Sequence, residues 1–288
     1  MQETITITLN RQDQDRLIAA WKDFIDTKTP PYARARLHPE NCTITVYNSG
    51  KTVFQGKDAA VYAAPFQQSE GYLNRKNVPL PEAGSDEVGT GDYFGPVCVC
   101  ACIVEEKDLP EINKLGARDS KQLNDDDMRV IAPQLMKMLR YSLLVLPCEK
   151  YNQVHDANNM NMIKAKLHNQ AYVNLKKKAC LPSFCMIDQF APKDLYYRYL
   201  RNEPEIIEGI HFETKAEDHY PAVGCASVIA RYAFLVSMDE MEKKYGMHFA
   251  KGAGKDVDAC ASRFVDKYGF DALNKVAKVH FRNTQNIR

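Results

Sequence analysis

No segment of the 288-residue sequence is long enough in uncharged apolar residues to cross a bilayer. The longest such run, PVCVCACIV at 96–104, is less than half of the ~20 residues a spanning helix needs. The opening MQETITITLNRQDQD also lacks the basic-then-apolar pattern of a signal peptide. A cytoplasmic protein without a membrane partner is expected. Nine cysteines are an odd set, with no Cys-x-x-Cys pair and no Cys/His cluster at zinc spacing. Cys98, Cys100 and Cys102 alternate along a strand-like segment, so they share one face and read as small buried hydrophobes. An excess of either charge is missing too: 38 basic against 37 acidic residues leave a net charge of +1. That balance gives no global attraction to nucleic acid, so such a partner must be held by local patches. Internal repeats and low-complexity tracts are absent.

What is present is enough apolar sequence, 45% of residues, to bury one large core or two smaller ones. The chain divides near QQSEGYLNRKNVPLPEAGS, 67–85, a polar, Pro- and Gly-containing stretch without periodicity. The division gives an N-terminal domain at 1–68, a linker at 69–83 and a larger domain at 84–288. In the first, ETITITL alternates strictly, QDQDRLIAAWKDFI has helical spacing, and NCTITVY and KTVFQ flank the hairpin signal NSGK. Alternation puts Ile5, Ile7, Leu9, Ile44 and Val46 on the face toward the helices. It puts Thr4, Thr6, Thr8, Arg34, Arg36, Thr43, Thr45 and Tyr47 on the other face. That polar face is either simply solvated or suited to phosphate and sugar contacts. The second domain alternates strands, near 96–104, 141–147, 183–188 and 206–213, with helices near 124–139, 160–178, 221–245 and 258–268. The pattern is that of an α/β or α+β core.

Two glycine signals do not support a nucleotide cofactor. GTGDYFG has one residue too many for the dinucleotide fingerprint and precedes a strand; KGAGKD ends in Asp where a phosphate loop needs Ser or Thr. The acids carry more. Asp86 precedes a Gly-rich bend, Asp188 ends the apolar run FCMID, and Glu217 and Asp218 fall just ahead of a helix. Carboxylates converging without His or Cys describe a hard-oxygen site for Mg²⁺ or Mn²⁺. Adjacent acids are also common as solvated surface or helix caps, and the NDDD at 124–127 reads as a cap.

The segment GSDEVGTGDYFGPVCVCACI resembles the first motif of the type 2 ribonucleases H, in particular the ribonuclease HIII family. The likeness continues through RDSKQLND, MIDQF, KAEDHYPAVGCASVIARYAF, FAKGAG and KVHFRNTQ. It implies a ribonuclease H-like catalytic domain with a central mixed sheet flanked by helices. The N-terminal part, with ITVYNSGKTVFQGK, resembles the small TATA-binding-protein-like α+β domain that binds substrate in this family. Carried over by position, the catalytic and metal-binding acids are Asp86, Glu87, Asp188 and Glu217, the last placed by Lys215 before it and Ala226-Ser227 after it. Gly89-Thr90-Gly91 stands where ribonuclease HII has Gly-Arg-Gly, and Ser120 with Lys121 resembles the phosphate-contacting pair. Arg34, Arg36 and Tyr47 are the candidate substrate contacts of the first domain. The implied activity is two-ion, Mg²⁺- or Mn²⁺-dependent hydrolysis of the RNA strand of an RNA/DNA hybrid by a monomer, leaving 5′-phosphate and 3′-hydroxyl ends. The alternatives are a hybrid-binding protein with a vestigial acid cluster and a ribonuclease HII-like nuclease acting at single ribonucleotides, which Thr90 disfavours.

Overall fold

In a computed structural model the chain forms two compact units, residues 1–74 and 75–288. The structure describes residues 3–9, 11–67, 79–117 and 123–287, without the side chains of 12 and 64–67.

The first unit is an antiparallel sheet of four strands, β1 (Glu3–Thr8), β2 (Ala33–Leu37), β3 (Cys42–Tyr47) and β4 (Lys51–Gly56), in the order β1-β4-β3-β2. Two helices, α1 (Arg11–Ala20) and α2 (Ala59–Gln67), belong to it. Leu17 and Ala63 from the helices join Leu37, Ile44, Val46 and Phe54 from the strands in one core. Period-two alternation leaves the other face mostly to polar side chains: Thr6, Thr45 and Arg36, with Val53 between them, pair in one row across all four strands.

Arg34 departs from the expected pattern. Ala33 pairs with Tyr47 and Ala35 with Val46, so Arg34 is the extra residue of a bulge. The bulge turns its guanidinium toward α1, where it donates to Gln14 Oε1 at 2.7 Å and Asp15 Oδ1 at 2.6 Å. Arg34 therefore ties sheet to helix and does not stand on the open face with Arg36.

The second unit is built on a five-stranded mixed sheet, order β7-β6-β5-β8-β9. Its strands are β5 (Glu82–Val88), β6 (Val97–Val104), β7 (Arg140–Leu146), β8 (Phe184–Asp188) and β9 (Ile210–Glu213). Helices α3 (Leu109–Lys114), α4 (Asp125–Met138), α5 (Cys148–His155), α6 (Met160–Lys178), α7 (Lys193–Leu200), α8 (Pro221–Tyr245) and α9 (Lys255–Tyr268) complete it. Asn124 caps α4 by accepting from Asp127 N, as the NDDD pattern leads one to expect. By length and composition α8 alone among the described helices could cross a bilayer, but it is a core helix whose apolar window is 72% buried.

Strand β5 corrects the expected boundary: Glu82 and Ala83 fall within the stretch read as linker, yet both are fully buried. It also carries Asp86 and Glu87, near its C-terminal end. β5 is the central strand of the sheet, antiparallel to β6 and parallel to β8. The glycines and acids of this segment hid the strand, because such residues are depleted in strands in general.

Because side chains alternate, β5 serves two helices at once. Its even positions meet α8: Glu82 Oε1 accepts from Ala222 N at 2.7 Å, and a Cβ on Gly84 would come within 2.3 Å of Val223 N. Only glycine permits that approach of strand to helix. Cys102 on β6 faces the same way, its thiol donating to Ala222 O. The odd positions meet α6: Ser85 bonds His168, and the Tyr172 hydroxyl reaches Ala83 O and Met186 O. Ala83 and the alternate β6 residues Val97, Val99, Ala101 and Ile103 share a core cluster with Ile163 and Tyr172 of α6.

Candidate active site

Adjacent in sequence, Asp86 and Glu87 point to opposite faces of β5 and are held by different helices. Asp86 pairs across the sheet with Cys100, and Ser227 of α8 donates a hydrogen bond to it. Its Oδ1 also accepts from the amide of Glu87 at 2.8 Å. Burial, reinforced by the charges of Glu87 and Asp188, pushes its carboxyl up to about 8.

Glu87 on the opposite face is bonded by α6. His168 Nε2 donates to its Oε2 at 2.8 Å and Lys164 pairs with its Oε1. These partners outweigh burial and hold its carboxyl below the usual range. His168 is itself fixed from behind, with Nδ1 2.7 Å from Ser85 Oγ and the ring stacked 5.4 Å from Phe190.

Asp188 ends β8, whose parallel pairing with β5 runs to Ser85 opposite Ile187, so the next residues on the two strands, Asp86 and Asp188, leave the sheet side by side. Asp188 Oδ1 accepts from Ala216 N at 2.9 Å. Burial raises its carboxyl, and the charges of Glu217 and Glu87 raise it further. That bond anchors the short 3₁₀ turn Ala216–Asp218, entered through Lys215 at φ 59°. The turn buries Glu217 to 9% exposure and leaves Asp218 half-buried. Glu217, not its neighbour, is thus the acid that acts on Asp188 electrostatically.

The four acids form one electrostatic cluster, but not a closed ring of donors. Among the described residues no three His, Cys, Asp or Glu side chains already surround one point. Both Glu87 oxygens turn to α6, and one Asp188 oxygen turns to a backbone amide. The donor set still suits a hard divalent cation: all oxygen, half-buried to buried, with Asp86 and Asp188 both resisting ionisation through burial first and neighbouring like charge second. Among the described residues neither Asp86 nor Asp188 has an ion pair, since Lys164 and His168 both serve Glu87.

The glycines after β5 have different reasons. Gly89, at φ 94°, would drive a Cβ to 2.1 Å from Pro96 O, so the turn itself requires it. Gly91 faces open space, leaving bare backbone beside the exposed end of the site. Between them Thr90 is half-buried. The loop is tied down by Gly252, whose amide donates to Asp92 Oδ1 at 2.6 Å and whose carbonyl accepts from Tyr93 N. Ser120 and Lys121 lie outside the described residues. In the first unit Arg36 and Tyr47 are half-buried on the sheet, with Arg36 Nε buried and without a hydrogen-bond partner among the described residues.

Sequence reasoning passed over Ser85, Lys164, His168 and Ser227. A signal existed for two of them: Lys164, His168 and Tyr172 recur every four residues on the buried face of α6, where polar groups need partners.

The profile of the ribonuclease HII family matches residues 83–284, and that of an N-terminal domain of unknown function (DUF3378) matches residues 4–77. Ribonuclease HIII of Bacillus cereus is 40% identical over 304 aligned residues, covering 99% of this chain and 98% of the relative. A Bacillus anthracis ribonuclease HIII matches equally. Among solved structures, Bst-RNase HIII in complex with Mn²⁺ superposes with a TM-score of 0.73 at 35% identity, over 99% of this chain and 97% of that one. The ribonuclease H2 of Pyrococcus horikoshii, 22% identical, shares the fold over 71% of this chain and 95% of its own, with a TM-score of 0.61. Acids at the ends of two parallel central strands, the glycine turn beside them and full-length likeness to ribonuclease HIII agree: the chain belongs to the ribonuclease HIII branch of the ribonuclease HII family and is an endoribonuclease of the H type.

Proposed function

We propose that the protein cleaves the RNA strand of RNA/DNA hybrids endonucleolytically, using divalent cations held by Asp86, Glu87, Asp188 and Glu217 and leaving 5′-phosphate and 3′-hydroxyl ends. The observation that carries this reading is the side-by-side exit of Asp86 and Asp188 from parallel strands, with Glu217 near enough for its charge to raise the Asp188 carboxyl. Bound there, Mg²⁺ or Mn²⁺ supplies Lewis acidity for the attack of water and positive charge for the departing 3′-oxygen.

The chain's own residues do the rest. Among the described residues no cation pairs with Asp86 or Asp188, so the site binds cations at the expense of protons. Ser227 and the amides of Glu87 and Ala216 fix the orientation of the two aspartates before any ligand arrives. Bare backbone at Gly91, rigidly based on Gly89 and Gly252, can approach a ribose closely enough to test for the 2′-hydroxyl. Ser120 and Lys121 are assigned to a substrate phosphate. Arg36 and Tyr47, on the open sheet face of the first unit, are assigned to backbone contacts that add affinity. The protein acts as a monomer in the cytoplasm.

A single experiment tests the substrate and the metal together. Purified protein is incubated with a long RNA/DNA hybrid, an RNA duplex, and a DNA duplex carrying one ribonucleotide, each with Mg²⁺, Mn²⁺ or chelator. Cleavage of the hybrid alone, abolished by chelator, with 5′-phosphate ends is the expected outcome. Equal cleavage of the RNA duplex, or cleavage in chelator, would refute the reading.

A further inference from the structure

Lys164 belongs to none of the strands that carry the acids, yet its side chain is only 11% exposed and paired with an equally buried Glu87. We propose that Lys164 is a resident counter-cation of the metal site: it neutralises Glu87 in the metal-free protein and yields that oxygen when a divalent ion binds. This rests on the reading of the four acids as the metal centre.

Three observations lead there. First, the two partners of Glu87 differ in freedom. His168 is locked by Ser85 on one side and by Phe190 on its face, whereas Lys164 ends a flexible four-carbon stem. Second, the ammonium has somewhere else to rest. It already lies 4.1 Å from the centroid of Phe190, the second residue after Asp188, so it can leave the carboxylate and keep a cation–π contact. Third, the charges are mutually exclusive. A buried carboxylate stripped of its partner is costly, so either the ammonium or an ion must face Glu87. Both at the same oxygen would repel each other. His168 then holds one Glu87 oxygen in place while the other changes partner.

The consequence is that ion binding competes with an internal cation, and the site binds metal more weakly than four carboxylates would on their own. The test uses the full-length protein and Mn²⁺ alone, without nucleic acid. Free Mn²⁺ is followed by electron paramagnetic resonance for wild type, Lys164→Met, Lys164→Gln and Lys164→Arg, and Tm is read in chelator and in saturating Mn²⁺. Lys164→Met and Lys164→Gln should bind Mn²⁺ about 10-fold or more tightly, because a like charge beside the ion has gone. Their Tm should lie below wild type in chelator and recover toward it in Mn²⁺, while Lys164→Arg stays near wild type in both readouts. In a Glu87→Gln background, Lys164→Met should no longer change Mn²⁺ affinity. Unchanged or weaker Mn²⁺ binding in both neutral variants, with Tm lowered equally in chelator and Mn²⁺, would overturn the proposal and leave Lys164 a structural ion pair. Equal Mn²⁺ uptake by wild type and Asp86→Asn would instead bring down the metal-centre reading, and the role of Lys164 with it.

Discussion

The two sheets of this molecule solve the same packing problem in opposite ways. In the first unit the helices α1 and α2 cover one face, and the other is left to threonines, Arg36 and Tyr47. In the second, α6 and α8 cover both faces of β5, so that strand has no open side. An open face offers area for contacts spread along a polymer. A strand covered on both sides has only its ends to offer, but what stands there is held rigidly by the layers behind it. On the proposed function, this difference suits the first sheet to affinity and the second to chemistry.

The hardest way to break that division is through the strand ends. Asp86→Asn and Asp188→Asn keep shape and remove charge, so hybrid cleavage should fall by at least about 100- to 1,000-fold. Hybrid binding, measured by anisotropy in chelator, should persist. Loss of binding in step with cleavage would mean that the strand ends supply affinity as well.

Next comes the buried root of the same strand. Glu82 has no solvent exposure, and burial raises its carboxyl to about 7 against an ordinary 4.5. Below pH 4.5 it is neutral both folded and unfolded. Above that the unfolded chain gives up its proton first, so stability declines as pH rises from 4.5 to about 7 and levels off beyond. The decline amounts to about 3 kcal/mol. Glu82→Gln keeps an acceptor for Ala222 N and should flatten this part of the curve of denaturant stability against pH. An unaltered curve would show that Glu82 is not the group responsible.

The fourth acid sharpens the comparison at finer scale. Glu217→Gln should reduce cleavage by about 10-fold or more beyond the effect of Asp218→Asn, since Glu217 is the more buried of the two and its charge acts on Asp188. The reverse ranking would move the catalytic register by one residue. The smallest effect belongs to the first sheet. Arg36→Ala should lessen the salt dependence of hybrid binding by up to ~0.9 log units for each phosphate it would otherwise neutralise. Arg34→Ala should leave that slope alone and cost the unit about 1 kcal/mol, because its partners are Gln14 and the exposed Asp15. If both variants changed the slope equally, the bulge would not have taken Arg34 out of play.

Much of this is legible in the sequence, for identifiable reasons. Long periodic segments such as 160–178 and 221–245 announce their helices, and the alternating cysteines announce β6. Asp188 is visible because an apolar run stops on it. Strand β5 is not, because its glycine and acids serve helix approach and chemistry at the cost of strand propensity. Arg34 is misplaced by pattern alone because alternation fails silently at a bulge. The clasp on Glu87 joins residues about 80 positions apart, a distance that local pattern cannot bridge.

The row of cysteines behind the acids has a consequence of its own. Cys98, Cys100 and Cys102 lie fully buried on β6, Cys225 faces them from α8, and burial raises every one of these thiols. Cys180, by contrast, is exposed. An alkylating reagent therefore marks Cys180 at once and must wait for α8 to lift before it reaches the others. The slow phase of labelling at these four is a clock on the back of β5, reporting how often the scaffold around Asp86 comes apart without any substrate or metal in the tube.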